Sequence, residues 1–386
     1  MGYSLNDQQL MLSKSVRRLA EKHVSPRAEQ LDRSDEYPWD LWREFAANDL
    51  VGVSIPEIHG GKGQGVLELC LVVEELSRVS AATGLMVSCQ ELALTPLLLA
   101  GSAEQKKNFL VAGARGEVLA SFALTEPDAG SDVSATGTRA VRRGEEYIIN
   151  GSKCFITNGG LAEYYIVFAA TDKEQGIRGL SAFVVEKDRP GLSIGKVEDK
   201  MGVRGTRTTE LIFEDCKVPR ANLIGSEGDG FKLAMLSLDR VRPAIGAQAL
   251  GIARGALEYA LNYCKQRRQF SRPIVTLQGL QFMLSEMFTK VEASRHLVYS
   301  AASLVDEEFP GLNGANKEIS RLSAMAKMYA SDTAMAVTTD AVQLLGGYGY
   351  MREFPVERMM RDAKIIQIYG GTNQIQRVVI SRSLLG

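Results

Sequence analysis

What this chain has little of narrows its chemistry first. Its 386 residues hold only five cysteines, Cys70, Cys89, Cys154, Cys216 and Cys264, in no short paired spacing. That pattern argues against both a disulfide framework and a zinc site. The three histidines, His23, His59 and His296, are dispersed and read as surface or packing residues. Charge nearly cancels, 45 basic against 46 acidic side chains, so no global field draws the chain to nucleic acid or an anionic membrane. No uninterrupted apolar run approaches a membrane span. The strongest candidate, residues 85–100, is broken by Ser88, Gln90, Glu91, Thr95 and Pro96. Met1-Gly2-Tyr3-Ser4-Leu5-Asn6-Asp7 has neither a basic n-region nor an apolar h-region. What is left is an ordinary globular composition, 45% apolar and 24% charged, for which a reducing cytoplasm is the expected setting.

The patterning divides the chain in three. Residues 1–119 read helical: Asn6 or Asp7 caps a helix running to Ala20, Pro38-Trp39 starts another, and two more cover about 67–80 and 83–99. Between residues 120 and 225 short β-rich runs alternate with turns, at 139–141, 147–150, 164–169, 182–186 and 210–213, with Arg143-Gly144-Glu145 as a joining turn. From 226 to 386 the helical period returns, in long segments at about 230–267 and 315–345. Between them Leu277, Leu280, Leu284, Met287 and Val291 form one apolar face. A mostly α protein with a central β-domain is expected, its C-terminal part a helical bundle.

Four stretches carry possible chemistry. Leu124-Thr125-Glu126-Pro127-Asp128-Ala129-Gly130-Ser131-Asp132 combines small residues and hydroxyls near a turn, which suits close approach to a flat ring, or is simply a polar loop. Lys153-Cys154-Phe155-Ile156-Thr157 offers an aromatic to stack and a hydroxyl to donate, or is a buried strand end. Arg267-Arg268-Gln269-Phe270 closes a helix, where a basic cluster is favoured by the helix dipole in any case. In Tyr369-Gly370-Gly371-Thr372-Asn373-Gln374-Ile375-Gln376-Arg377, Thr372 can cap a following helix.

Taken together these stretches resemble the acyl-CoA dehydrogenase family, and the likeness extends over essentially the whole chain. It implies a helical domain, a β-barrel or sandwich domain and a C-terminal four-helix bundle. It further implies FAD, held by Phe122, Leu124, Thr125, Gly130, Ser131, Phe155 and Thr157, with Thr372 and Gln374 completing the set. Arg267, Phe270, Gln343 and Gly347, with Gly346, would reach the FAD of a neighbouring subunit in a homotetramer. Ser131, Asp239, Arg242, Tyr369 and Gly370 would meet the acyl-CoA. An electron-transfer flavoprotein is the implied electron acceptor.

The chain departs from that family at the point of most consequence. Gly370 stands where most members carry the glutamate that takes the α-proton, and Val241 stands where a minority carry it. The reaction still needs a base. Glu91, in an apolar segment of the N-terminal helices, is the candidate for a carboxyl made more basic by burial; the alternative is a polar helix edge beside Gln90. A base placed further from the thioester points to 1,4-dehydrogenation of cyclohex-1-ene-1-carboxyl-CoA, with Gly370 and Val241 leaving room for the ring. The competing expectations are conventional α,β-dehydrogenation with an unrecognised base, a non-redox elimination, and an inactive FAD- and CoA-binding homologue.

Overall fold

A computed structural model of the chain describes residues 4–309, 311–314 and 316–385; Met1 to Tyr3, and Ala315 where a helix start is expected, lie outside them. Helix α1 (Asp7–Leu19) begins on a capping box in which Asn6 and Gln9 bond each other's backbone. Helices α2 (Ala28–Ser34) and α3 (Trp39–Ala47) follow, the latter starting after Pro38 as expected. The central pair is α4 (Val66–Ser77) and α5 (Ala81–Ala100). Helix α5 is, among the described residues, the one helix long and apolar enough to cross a membrane; it is 78% buried, as the core helix of a folded domain is. Short helices α6 (Ala103–Gln105) and α7 (Val111–Ala114) lead into the sheet.

Eight strands form that sheet: β1 (Ala120–Ala123), β2 (Arg139–Arg143), β3 (Glu146–Thr157), β4 (Tyr164–Ala170), β5 (Leu180–Glu186), β6 (Leu192–Val197), β7 (Thr208–Pro219) and β8 (Leu223–Ile224). Their order is β6-β7-β3-β2-β4-β5-β8, with β1 parallel to β4. The β2–β4 link is one residue pair, Arg139 with Ala170, so the sheet bends there and its halves face each other. Tyr147 of β3 and Phe183 of β5, on opposite halves, meet with ring centroids 4.9 Å apart. Strand β4 is buried on both faces. Tyr165, Val167 and Ala169 enter the core shared with β3 and β7, while Tyr164, Ile166 and Phe168 pack against Ala93, Leu94 and Leu97 of α5. That continuous apolar run hides the alternation by which strands are usually recognised.

The C-terminal part is built on α8 (Gly230–Gln266), α9 (Gln278–Glu308) and α10 (Lys317–Leu345), joined by α11 (Pro355–Ile366) and α12 (Asn373–Leu385). Two-residue strands β9 (Arg268–Gln269) and β10 (Arg272–Pro273) turn the chain between α8 and α9. Helix α8 also crosses the N-terminal helices at very short range. A methyl group at Gly255 would sit 2.0 Å from the carbonyl oxygen of Arg78. Buried charges add to this seam: Arg254 of α8 bonds Glu74 and Glu75 of α4, both at 2.9 Å, and Tyr299 of α9 donates to Glu74 at 2.5 Å. The five cysteines are all buried and free.

Candidate active site

The first part of the site is a distortion in β3. Its pairing with β7 slips between Lys153 and Ile156, placing an extra residue in β3. Phe155 takes it up with φ +57°, a left-handed conformation that costs an L-residue about 1–2 kcal/mol. The residue is 64% exposed. A strained backbone that turns an aromatic face outward is what a stacked flat ligand requires.

Beneath it lies a device not foreseen from the sequence. Lys153, fully buried, donates to Leu124 O at 3.0 Å and Glu126 Oε1 at 2.6 Å, while Glu126 also accepts from Gly137 N and Thr138 N. Burial pulls the Lys153 ammonium down to about 8, against the pull of Glu126. Cys154 N donates to Thr125 O at 2.9 Å, and Ser121 Oγ to Thr157 O at 2.5 Å. The segment from Ser121 to Thr125 is thereby laid along the end of β3, with Thr125 at Cys154 and Ser121 at Thr157. A Cβ added at Gly130 would meet no atom within 4 Å, so the bare backbone there answers to nothing in the chain's own packing. Ser131 is exposed beside it, whereas the ring of Phe122 packs on Phe168 at 4.8 Å.

The second part is the loop between α11 and α12. Thr372 caps α12 through its hydroxyl, which accepts from Ile375 N at 3.2 Å, as expected. Lys327 of α10, buried and also missed in the sequence, donates to Gly371 O at 2.7 Å and Asn373 Oδ1 at 2.9 Å. Its ammonium is lowered to about 7 by burial and then by Arg242. Tyr369 donates to Gln248 of α8, and burial pushes its phenol well up. Buried Cys89 of α5 is influenced by Thr157 and acts electrostatically on the Tyr369 phenol, so α5 neighbours both parts.

Gly370 has φ +64°. The place of its missing Cβ lies 2.5 Å from Ile245 Cδ1 of α8. The glycine relieves a close contact as well as lacking a carboxylate. On α8, Asp239 and Arg242 pair with each other, and Ser320 donates to Asp239. Arg242 is only 5% exposed and its Nε has no hydrogen-bond partner, which fits a polar ligand.

Glu91 is fully buried, as expected, and is not on a polar edge; neighbouring Gln90 is buried too, bonded to Gly113 O, Val118 O and Ala120 N. Ser54 N donates to Glu91 Oε1 at 3.1 Å and Ser54 Oγ to Oε2 at 2.8 Å. Arg240 donates in turn to Ser54 Oγ and to Ser54 O, both at 2.9 Å. Burial raises the Glu91 carboxyl above the ordinary value, opposed first by Arg240 and then by Ser54.

A separate cleft of about 640 Å³ contains Arg267, Gln343 and Gly347 with Tyr348 and Leu280. The Arg267 guanidinium lies 5.5 Å above the Tyr348 ring, and a Cβ at Gly347 would meet nothing within 4 Å. Phe270 is 85% exposed. Thr372 and Gln374 line another cleft, with Asp332 and Arg377. Within one chain these two clefts are distinct. Among the described residues no group of His, Cys, Asp and Glu is placed to hold a metal.

A bulged strand presenting an aromatic, an open glycine loop and a capped helix stand in a helix–sheet–helix frame, the frame of an α-helical enzyme with an inserted β-domain. The chain belongs to the acyl-CoA dehydrogenase family: the N-terminal, middle and C-terminal domain models of that family match residues 6–117, 121–216 and 228–385. It is accordingly an FAD-dependent oxidoreductase acting on CH–CH groups. It is 49% identical to an acyl-CoA dehydrogenase of Bacillus subtilis, and 48% identical to the cyclohex-1-ene-1-carbonyl-CoA dehydrogenase of Geobacter metallireducens. Each match runs over 383 residues and 99% of both chains. The structure of butyryl-CoA dehydrogenase from Megasphaera elsdenii superposes with TM-score 0.95 at 44% identity, covering all of both chains.

Proposed function

We propose that this acyl-CoA dehydrogenase removes hydrogen from a cyclic enoyl-CoA in a 1,4 sense, converting cyclohex-1-ene-1-carboxyl-CoA to the 1,5-diene, with Glu91 as the base. The observation that carries this reading is a buried, backbone-anchored carboxylate on α5 in a chain with glycine at 370 and valine at 241. The likeness to the Geobacter enzyme supports it.

In the ring, Glu91 takes a proton from C3. The C3–H electron pair becomes the C2=C3 bond, the former C1=C2 pair moves to C1=C6, and hydride departs from C6. FAD, when bound, supplies the acceptor for that hydride. Leu124, Thr125, Gly130, Ser131, Phe155 and Thr157 would hold the flavin, with Phe122 shaping the strand behind them. Asp239, Arg242 and Ser131 would hold the CoA, and Tyr369 and Gly370 would border the acyl group. Arg267, Phe270, Gln343 and Gly347 would complete the flavin site of a neighbouring subunit, with Thr372 and Gln374 of the other chain, in a homotetramer. An electron-transfer flavoprotein would accept the electrons.

The test is anaerobic spectroscopy of the purified flavoprotein. Cyclohex-1-ene-1-carboxyl-CoA should bleach the oxidised flavin band, and butyryl- or octanoyl-CoA should not. Bleaching by the straight-chain thioesters alone would establish conventional α,β-chemistry instead. Glu91→Gln should lower the bleaching rate by about two to four orders of magnitude without loss of bound flavin. Unchanged turnover in that variant would remove Glu91 from the mechanism.

A further inference from the structure

The stretch that lacks a carboxylate at Val241 supplies a cation one residue earlier. Asp239 and Arg242, three apart, share one side of α8 and bond each other. Arg240 points elsewhere and donates two hydrogen bonds to Ser54. Ser54 in turn contacts both carboxylate oxygens of Glu91. Three elements are thus linked in series: α8, the loop after α3, and α5. We propose that Arg240, acting through Ser54, is a positioning residue that holds the Glu91 carboxylate in one orientation and in its ionised form. This rests on the reading of Glu91 as the base.

The surrounding charges are few. Arg240 is the cation facing Glu91. Asp306 of α9 also attracts Arg240, accepts from Val66 N and Leu67 N, and has Glu68 nearby. Arg240 therefore feels two carboxylates, of which Asp306 is already occupied by the first N–H groups of α4. A free Ser54 hydroxyl would rotate; one that accepts from a guanidinium is left with its proton directed at Glu91. Removing Arg240 frees that rotor and takes away the nearby positive charge, and both changes favour the protonated acid.

The experiment uses the FAD-loaded protein and the variants Arg240→Gln, Arg240→Lys, Ser54→Ala and Glu91→Gln. The first readout is the pH profile of flavin bleaching by cyclohex-1-ene-1-carboxyl-CoA. The second is the midpoint of the protonated-carboxyl infrared band that Glu91→Gln lacks. Arg240→Gln should move the acid limb and the infrared midpoint up together by about one pH unit, and Arg240→Lys should return both toward the parent. On the acid limb this is a roughly tenfold loss of rate at fixed pH. Unchanged limb and midpoint in Arg240→Gln would overturn the proposal. If that variant does not fold, Arg240→Lys and Arg240→Met are compared instead: a higher limb and midpoint in Arg240→Met supports the link and equal values refute it, while Ser54→Ala measures the direct Ser54 bond. Wild-type turnover by Glu91→Gln would instead refute the base, while the infrared midpoint would still report whether Arg240 holds the carboxylate.

Discussion

Gly370 concentrates the argument at the scale of single residues. Its positive φ and the nearby Ile245 methyl mean that any side chain there carries a backbone cost and displaces a neighbour, though the neighbour is the mobile end of a side chain. Gly370→Glu should nevertheless restore a carboxylate next to Cα. The expected outcome is slow flavin bleaching by butyryl-CoA where the parent shows none, at a stability cost of about 1–2 kcal/mol read by denaturant unfolding. No bleaching by a folded, flavin-loaded variant would show that the missing glutamate alone does not explain the difference. Much of this was legible in the sequence, because a glycine in a signature position declares its missing group. Lys327 and the Lys153–Glu126 pair were not legible. Buried lysines look like surface lysines in a linear pattern, and what reveals them is a carbonyl or carboxylate distant in sequence.

At the scale of elements, burial of charge sets the largest expected effects. Glu74 serves Arg254, Arg295 and Tyr299 at the α4–α8–α9 seam. Glu74→Ala would leave two guanidinium groups short of a partner and should cost about 3–5 kcal/mol. For a chain of this length that lowers the melting temperature by roughly 4–6 °C, measurable by calorimetry. Asp362 of α11 is a second case. It accepts from Val203 N at 2.6 Å, and full burial lifts its carboxyl to about 6. In the folded chain it therefore binds its proton more tightly than in the unfolded one. Its favourable term is complete below about pH 4, the unfolded value, and is lost as pH rises through about 6. Asp362→Asn should flatten the pH 4–6 part of the stability curve, and an unchanged slope would show that another group governs it. Element types were readable from sequence where periodicity was clean, as in α1, α8 and α9. The start of α12 was readable from its Thr372 cap, whereas the two-residue β8 and the short, exposed β6 escaped because neither holds enough residues to display a period.

For the whole molecule, the apolar and cationic cleft around Arg267 is the part that one chain does not complete. Phe270, Phe282 and Phe288 are all more than half exposed, and Arg267 rests on Tyr348 with no carboxylate paired to it among the described residues. If this cleft closes over a neighbour's flavin, Arg267→Ala should lower both flavin content and the fraction of assembled protein, followed by absorbance and light scattering across a concentration series. Full flavin retention by a monomeric variant would separate assembly from cofactor binding. The order of helical, β and helical regions was evident from composition and period. How the halves of the sheet fold onto each other was not, since it turns on one Arg139–Ala170 pairing.

Helix α5 makes three consecutive residues answer to three different masters. Cys89 acts electrostatically on the Tyr369 phenol and is itself influenced by Thr157, Gln90 clamps the first residue of β1, and Glu91 closes on Ser54. The helix cannot be shifted without dragging β1 with it. If Glu91 is the base facing the acyl group, breadth of substrate should therefore arise by trimming side chains of α8 near Val241 and Ile245. Enlarging the pocket from the α5 side would register as a change in the flavin's colour and redox poise before it registered as a new substrate.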